Sequence, residues 1–373
     1  MKNWRGSALR FCHLAGLPIL EPFVRLIAGE DPREQLKGIA KYLIVPMFAI
    51  ATFLGLWSWA AKVVVTDSMR LPSPSATWNA GRELFAMHRQ QKIADTTKRQ
   101  EKLREAVQLM AQAKAIEAQK LSDTTAVDRE RWSAKADSLK QRAVEAANHR
   151  PSSAPTFVDQ IYRSLITVFF GFAIATLIAV PIGVLCGMNS WCNAALTPLI
   201  QIFKPVSPLA WLPLAALVVI WLYGGSDPQN SLFEKAFLIS AVTVCLCSLW
   251  PTLVNTTLGV ASVDKDYLNV AKVLKLSWSQ QLFKIILPAS LPLMFAGMRI
   301  SLGVGWMVLI AADMLAQNPG LGKFVWDEFQ NGSSLTYARI AFSVIVIGVI
   351  GLLLDRFMIF LRNLVSFGNP SPA

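Results

Sequence analysis

Apolar positions gather along this chain into blocks of about 20 residues, the length an α-helix needs to cross roughly 30 Å of hydrocarbon. The blocks fall at residues 43–65, 161–188, 236–254, 291–315 and 338–361, with one more, interrupted by prolines, within 194–224. The pattern predicts an all-α, polytopic membrane protein of about six transmembrane helices. Its expected segments are a cytoplasmic piece at 1–41, a first transmembrane helix at 42–65 and an external helical insertion at 66–155. A transmembrane core at 156–364 and a tail at 365–373 follow.

The insertion has its own rhythm. It opens on 70-RLPSPSATW-78, whose two prolines predict an extended turn and not a helix. From about Trp78 to Lys120 it is rich in Ala, Glu, Gln, Lys and Arg, all good helix formers, with Leu103, Val107 and Met110 at helical spacing. Break and cap signals at 121–132 introduce a second helix to about Asn148, which 151-PSSAP-155 ends. The expectation is a helical hairpin on the outer surface, either a solvated spacer or a docking element.

Composition sharpens the class. The chain is 53% hydrophobic and only 16% charged, against about 25% charged in soluble domains, so a large soluble enzyme is excluded. A net charge of +12 raises nucleic acid as a partner. Much of that charge, however, lies in the insertion or beside span ends, where orientation bias explains the flanking residues. With the N-terminus inside, Arg25, Arg33, Lys37 and Lys41 precede the first span on the cytoplasmic side. Lys265, Lys272, Lys275, Lys284, Arg356 and Arg362 then fall inside too, and six crossings satisfy every short loop. No cleavable leader is apparent, and 13–32 reads as a short interfacial helix or an assembly contact.

Candidate chemistry is sparse. Cys12, Cys186, Cys192, Cys245 and Cys247 have neither metal nor redox spacing, and His13, His88 and His149 all lie in hydrophilic regions. No phosphate-cradling Gly-x-x-x-x-Gly-Lys-Ser/Thr occurs, so ATP hydrolysis is not expected on this chain. The expectation is a conduit with no catalytic residue, metal or cofactor of its own.

The segment 264-DKDYLNVAKVLKLSWSQQLFKIILPASLP-292 interrupts the apolar pattern. Tyr267, Val270, Ala271 and Leu274 fall at i, i+3, i+4 and i+7 beside Lys272, Lys275 and Lys284, which predicts a helix along the cytoplasmic membrane surface. Leu287 and Pro288 are expected to set the angle into the next span, since proline suits a helix start. The segment resembles the coupling loop of ATP-binding cassette (ABC) importer permeases, with pattern Glu-Ala-Ala, three residues, Gly, nine residues, Ile, one residue, Leu-Pro. Ala271, Ile285, Leu287 and Pro288 match it, whereas Asn269, Val270 and Lys275 stand at the Glu, first Ala and Gly positions. The stretches 71–74, 164–188, 205–215 and 311–322 are similar, in the same order, to the nitrate, sulfonate and bicarbonate branch, and 205-PVSPLAWLPLA-215 is most like nitrate-type members.

That resemblance implies a permease in a bacterial inner membrane, paired with a second permease copy and surrounded by lipid. It also implies cytoplasmic ABC ATPase subunits that hold ATP and Mg, and an external substrate-binding protein. The loop near 259–288 would then carry the ATPase contact through Asn269, Val270, Ala271, Lys272, Leu274, Lys275 and Ser277, followed by Leu287 and Pro288. Lys275 is a candidate partner for an acidic group of the ATPase groove.

An anion path needs donors and positive potential without a deep trap. Lys204 in the proline-broken span, Ser207 beside it and Arg299 in the fifth span are the candidates. The alternative for the two cations is snorkelling or an interhelical pair with Asp313 or Asp355. Asp313, a carboxylate that would repel an anion, is expected to organise its helix. The run 319-PGLG-322 predicts a turn with φ above zero. Nitrate leads as cargo, with sulfonate, taurine or bicarbonate behind. A membrane-embedded sensor or scaffold is the alternative from another class, and a proton-driven carrier finds little carboxylate relay beyond Asp313.

Overall fold

A computed structural model describes residues 21–27, 32–64, 71–120, 126–148, 153–223 and 234–365. Every element among them is a helix. Short α1 (Glu21–Ile27) precedes α2 (Pro32–Ile39), which continues through a π turn at Ala40–Ile44 into α3 (Val45–Val63). Then come α4 (Pro74–Lys120), α5 (Ala126–Asn148), α6 (Phe157–Met188), α7 (Ser190–Phe203), α8 (Pro208–Tyr223) and α9 (Lys235–Ala261). After α10 (Lys265–Val273), a helical run joins α11 (Trp278–Gln281), a π turn (Leu282–Ile286) and α12 (Leu287–Ala316), followed by α13 (Leu321–Asn331) and α14 (Ser334–Val365). Arg82–Val158 forms a compact unit by itself, and the remainder forms another.

Among the described residues, five helical stretches are long and apolar enough to cross a membrane, and α7 with α8 adds a sixth only as a pair bent by 107°. The core is built on α6, α9 and α12, whose small residues let backbones approach closely. A Cβ at Gly171 would lie 2.6 Å from Ala241 O, one at Gly183 2.7 Å from Thr256 Cβ, and one at Gly187 2.5 Å from Val260 Cβ. These contacts advance together along both chains, so α6 and α9 run parallel. Helix α12 runs against α9, since Cβ atoms at Gly259, Gly297 and Gly305 would meet Ser290, Asn255 and Ser248. Helix α14 in turn opposes α12 through Arg299 with Asp355, and through Trp306 Nε1 donating to Ile347 O at 3.0 Å.

The parallel pair decides how the bent segment is threaded. Two spanning helices that run parallel end on the same side, so the chain must return across the membrane between Met188 and Lys235. The α7–α8 pair is therefore a broken span and not a re-entrant loop, in keeping with the proline-broken block predicted within 194–224. Pro205 and Pro208 cause the break, because each lacks an amide donor and disfavours helix in the residue before it.

Other expectations need correction. Pro74 begins α4 instead of extending the turn: Ser73 Oγ accepts from Ala76 N at 3.2 Å, and proline fits the first helical position, where no amide donor is needed. Likewise Leu287 and Pro288 do not open the fifth span. The helix starts at Trp278, and the π turn at Leu282–Ile286 lies just ahead of the proline, whose missing N–H already interrupts the ordinary ladder. The predicted helix at 13–32 falls largely outside the described residues, as do Cys12, His13 and His149.

Within the Arg82–Val158 unit, Ala106 and Ala113 on α4 and Ala136 and Ala143 on α5 are buried. Each pair is one heptad apart, which is the repeat of a coiled-coil seam, here with alanines that permit close approach. Lys140 donates to Glu117 across it. The strap at 153–156 is tied to α4 by Gln91 Nε2 donating to Ala154 O at 2.7 Å and Ser153 Oγ to Asp95 at 2.7 Å. Leu103, Val107 and Met110 keep helical spacing but are exposed, at 43%, 69% and 41%.

Candidate functional site

The bend between α7 and α8 lies level with the middle of α9. Phe203, the last residue of α7, stacks on Trp250 with centroids 6.0 Å apart and planes 15° from parallel, and Trp250 lies about midway along α9. Lys204 and Ser207 follow at once and are exposed on this chain. Ser207 caps α8: its Oγ accepts from Leu209 N at 3.3 Å, and its carbonyl accepts from Ala210 N and Trp211 N at 3.0 and 3.3 Å. The positive end of the α8 dipole thus points into the bend beside the Lys204 charge, and the Ser207 hydroxyl keeps its proton to donate.

Two residues escaped the sequence reading. The indole Nε1 atoms of Trp211 and Trp250 are buried without an acceptor among the described residues, and both rings touch Phe203. Tryptophan in an apolar span reads as packing, so only three-dimensional placement exposes the unused donors. Arg299 is engaged elsewhere. It forms a two-pronged pair with Asp355, Nη2 to Oδ2 at 2.9 Å, and ties α12 to α14.

Beside the bend, α9 carries a repaired break. Pro251 interrupts its ladder, and Ser301 Oγ from α12 sits between the two groups an unbroken helix would join. It accepts from Thr252 N at 3.0 Å and donates to Ser248 O at 2.5 Å, while Thr252 Oγ1 donates to it at 2.7 Å.

The polar loop between α9 and α12 is anchored from within. Val184, Val260, Leu282 and Ile286 form a buried cluster against which Leu268 and Leu287 pack, and Ala271 is fully buried. Of the four apolar positions at helical spacing, Ala271 turns into the core, while Tyr267, Val270 and Leu274 are 60%, 55% and 63% exposed on this chain, together with Val273 and Trp278. Asn269, Lys272, Lys275 and Ser277 are exposed as well. Helix α10 ends in a double hydrogen bond, Leu276 N to Ala271 O and Lys275 N to Lys272 O, each 3.0 Å. This is the glycine-favouring helix stop, and Lys275 occupies its left-handed position with φ +52. Ser277 then caps α11 in a reciprocal box with Gln280. Leu287 therefore belongs to the core, while Pro288 is exposed.

At the opposite ends of these helices, Asp313 is fully buried and hydrogen bonded. Ser164 Oγ donates to its Oδ2 at 2.7 Å and Asn318 Nδ2 to its Oδ1 at 2.7 Å, while Leu321 N donates to Ser164 Oγ at 2.9 Å. The carboxylate thus fixes the turn into α13 against α6. The expected positive φ in 319-PGLG-322 is not there: Gly320 has φ −113 and the left-handed residue is Gln317, at φ +56. Crowding explains both glycines, since a Cβ at Gly320 would lie 2.1 Å from Asp313 Oδ2 and one at Gly322 2.0 Å from Ile310 O.

A bundle of helices long enough to span a membrane, one of them broken beside a lysine, with an anchored loop of exposed apolar and basic residues at one end, is an arrangement suited to a transport subunit. Residues 179–366 match the family described as binding-protein-dependent transport system inner membrane component, and the chain belongs to it. It is an inner-membrane permease and not an enzyme. Among its relatives, the nitrate import permease protein NrtB of Synechocystis sp. is 37% identical over 55% of this chain and 69% of that protein. The bicarbonate transport system permease protein CmpB of Synechococcus elongatus is 38% identical over 55% and 68%, and NrtB of the same species is 33% identical over 56% and 69%. The branch that the motifs resemble and the branch of these relatives agree.

Proposed function

We propose that this chain is the permease subunit of an ATP-driven importer for a small oxyanion, with nitrate the leading cargo. The observation that carries the anion assignment is the broken span. It sets the Lys204 charge and the positive end of α8 together, level with the middle of α9, where an anion crossing the membrane loses most of its water. Ser207, Trp211 and Trp250 supply hydroxyl and indole donors around the same bend. Arg299 serves as an interhelical tie, and Asp313 holds the turn into α13 and stays out of the path.

Orientation follows from charge. The ends of α6 and α9 share a side with Lys265, Lys272, Lys275, Lys284 and Arg362, and the positive-inside bias supports reading that side as cytoplasmic, with 66–155 outside. The exposed residues from Tyr267 to Trp278 form the seat for an ABC ATPase subunit, which holds the ATP and Mg. A substrate-binding protein docks outside, and a second copy of this permease completes the path. Relatives that carry nitrate and bicarbonate keep the second anion as the alternative cargo.

The test is uptake of labelled nitrate, taurine and bicarbonate by the reconstituted complex with ATP inside. ATP-dependent nitrate uptake that is lost on deleting residues 269–278 is the expected result. Accumulation of bicarbonate or taurine instead would replace the cargo, and no accumulation of any would overturn the transporter reading.

A further inference from the structure

On α4 one exposed sector is free of acids, although cations occur on other sides as well, and nothing in the helical seam requires that clearing. At 100° per residue, Arg89, Arg104 and Lys114 lie within about 60° of the line through Val107, and all three are exposed. Ile93, Leu103 and Met110 share that sector, and Ile93 and Val107 are 60% and 69% exposed. The five acidic residues of α4, Glu83, Asp95, Glu101, Glu105 and Glu117, all lie more than roughly 75° away. A solvated spacer has no need to clear acids from one sector, or to leave large apolar side chains there.

We infer that this face of α4 docks an acidic, apolar-ridged surface of the solute-binding protein, an inference that rests on the transporter reading above. Charge selects the partner. A basic strip about 38 Å long attracts an acidic surface and repels a second copy of itself, while the apolar residues between the cations supply contact area. An anionic membrane surface fits less well. A helix lying in lipid separates its cations from its apolar stripe, whereas here Arg89 and Lys114 stand nearly in line with Val107, inside the sector that Ile93 and Leu103 bound, and only Arg104 lies at its flank. In the protein-docking case such interleaving is what meets carboxylates and apolar groups together.

The test uses the whole complex in lipid nanodiscs, titrated with the solute-binding protein of its own system, alongside uptake in proteoliposomes. The triple variant Arg89→Glu, Arg104→Glu, Lys114→Glu leaves the alanine seam untouched. It is expected to weaken binding about tenfold or more, to raise the half-saturating concentration of binding protein in uptake equally, and to leave the maximal rate unchanged. The control Glu101→Lys, Glu105→Lys is expected to leave affinity unchanged or to tighten it. Wild-type affinity should fall with salt more steeply than that of the triple variant. Unchanged affinity in the triple variant would overturn the inference, as would a defect seen with anionic lipid and absent in purely zwitterionic lipid. Salt-sensitive binding through this face without nitrate uptake would keep the docking surface and overturn the cargo.

Discussion

Ser301 performs a structural task that a hydroxyl can do and a methyl cannot. It bridges Thr252 N and Ser248 O where Pro251 breaks α9, and its loss would leave a buried donor and acceptor facing apolar neighbours. Ser301→Ala is expected to destabilise the chain by about 1–3 kcal/mol, read from thermal unfolding in detergent, whereas Ser301→Thr should retain most of the stability. Lys275 shows the reverse situation, a residue at odds with its backbone. Because it sits at φ +52, Lys275→Gly should stabilise the α10 stop by roughly 1 kcal/mol, with ATPase binding preserved. Lys275→Val, branched at Cβ, should weaken both. If instead Lys275→Gly loses ATPase binding, the lysine side chain and not the turn is what that position supplies. At Gly322 there is no room at all, and Gly322→Ala, with its Cβ 2.0 Å from Ile310 O, should abolish accumulation of folded protein.

At the scale of elements, long apolar blocks were legible because twenty residues without charge admit few structures other than a spanning helix. Packing between helices was less legible. The bend at Phe203–Pro208 could be anticipated from Pro205 and Pro208, but its position level with the middle of α9 depends on Phe203 meeting Trp250, a contact between residues far apart in sequence. For the loop, helical spacing located α10, but not its anchors within the chain: Leu268 and Ala271 hold it to the core, while Tyr267, Val270 and Leu274 face outward. Periodicity identifies an apolar stripe without saying whether this chain or a partner covers it. The same ambiguity hid the seam of α4, where small Ala106 and Ala113 are buried and the larger Leu103, Val107 and Met110 are not. Asp313 was expected to organise its helix, yet its partners Ser164 and Asn318 could not be named, since Ser164 lies on another helix. As a test of the seam, Ala113→Leu should force α4 and α5 apart, lowering the hairpin's protection from hydrogen exchange, while Val107→Ala should not.

For the molecule as a whole, parallel α6 and α9 require an odd number of crossings between them. Single cysteines at Asn189 and Asp264 should therefore react with an impermeant thiol reagent only from the cytoplasmic side, and one at Ser153 only from outside. Labelling of Asn189 and Asp264 from opposite faces would break the topology. The central claim is narrower still, that the broken span carrying Lys204 is where the anion crosses. Its most direct test is ATP-driven uptake of labelled nitrate by the reconstituted complex with Lys204→Gln and Lys204→Arg, each checked for intact assembly with its ATPase. Uptake reduced about tenfold or more in Lys204→Gln, equivalent to some 1.4 kcal/mol or more, and largely kept in Lys204→Arg is the result expected. Nitrate uptake by assembled Lys204→Gln at the wild-type rate would contradict it.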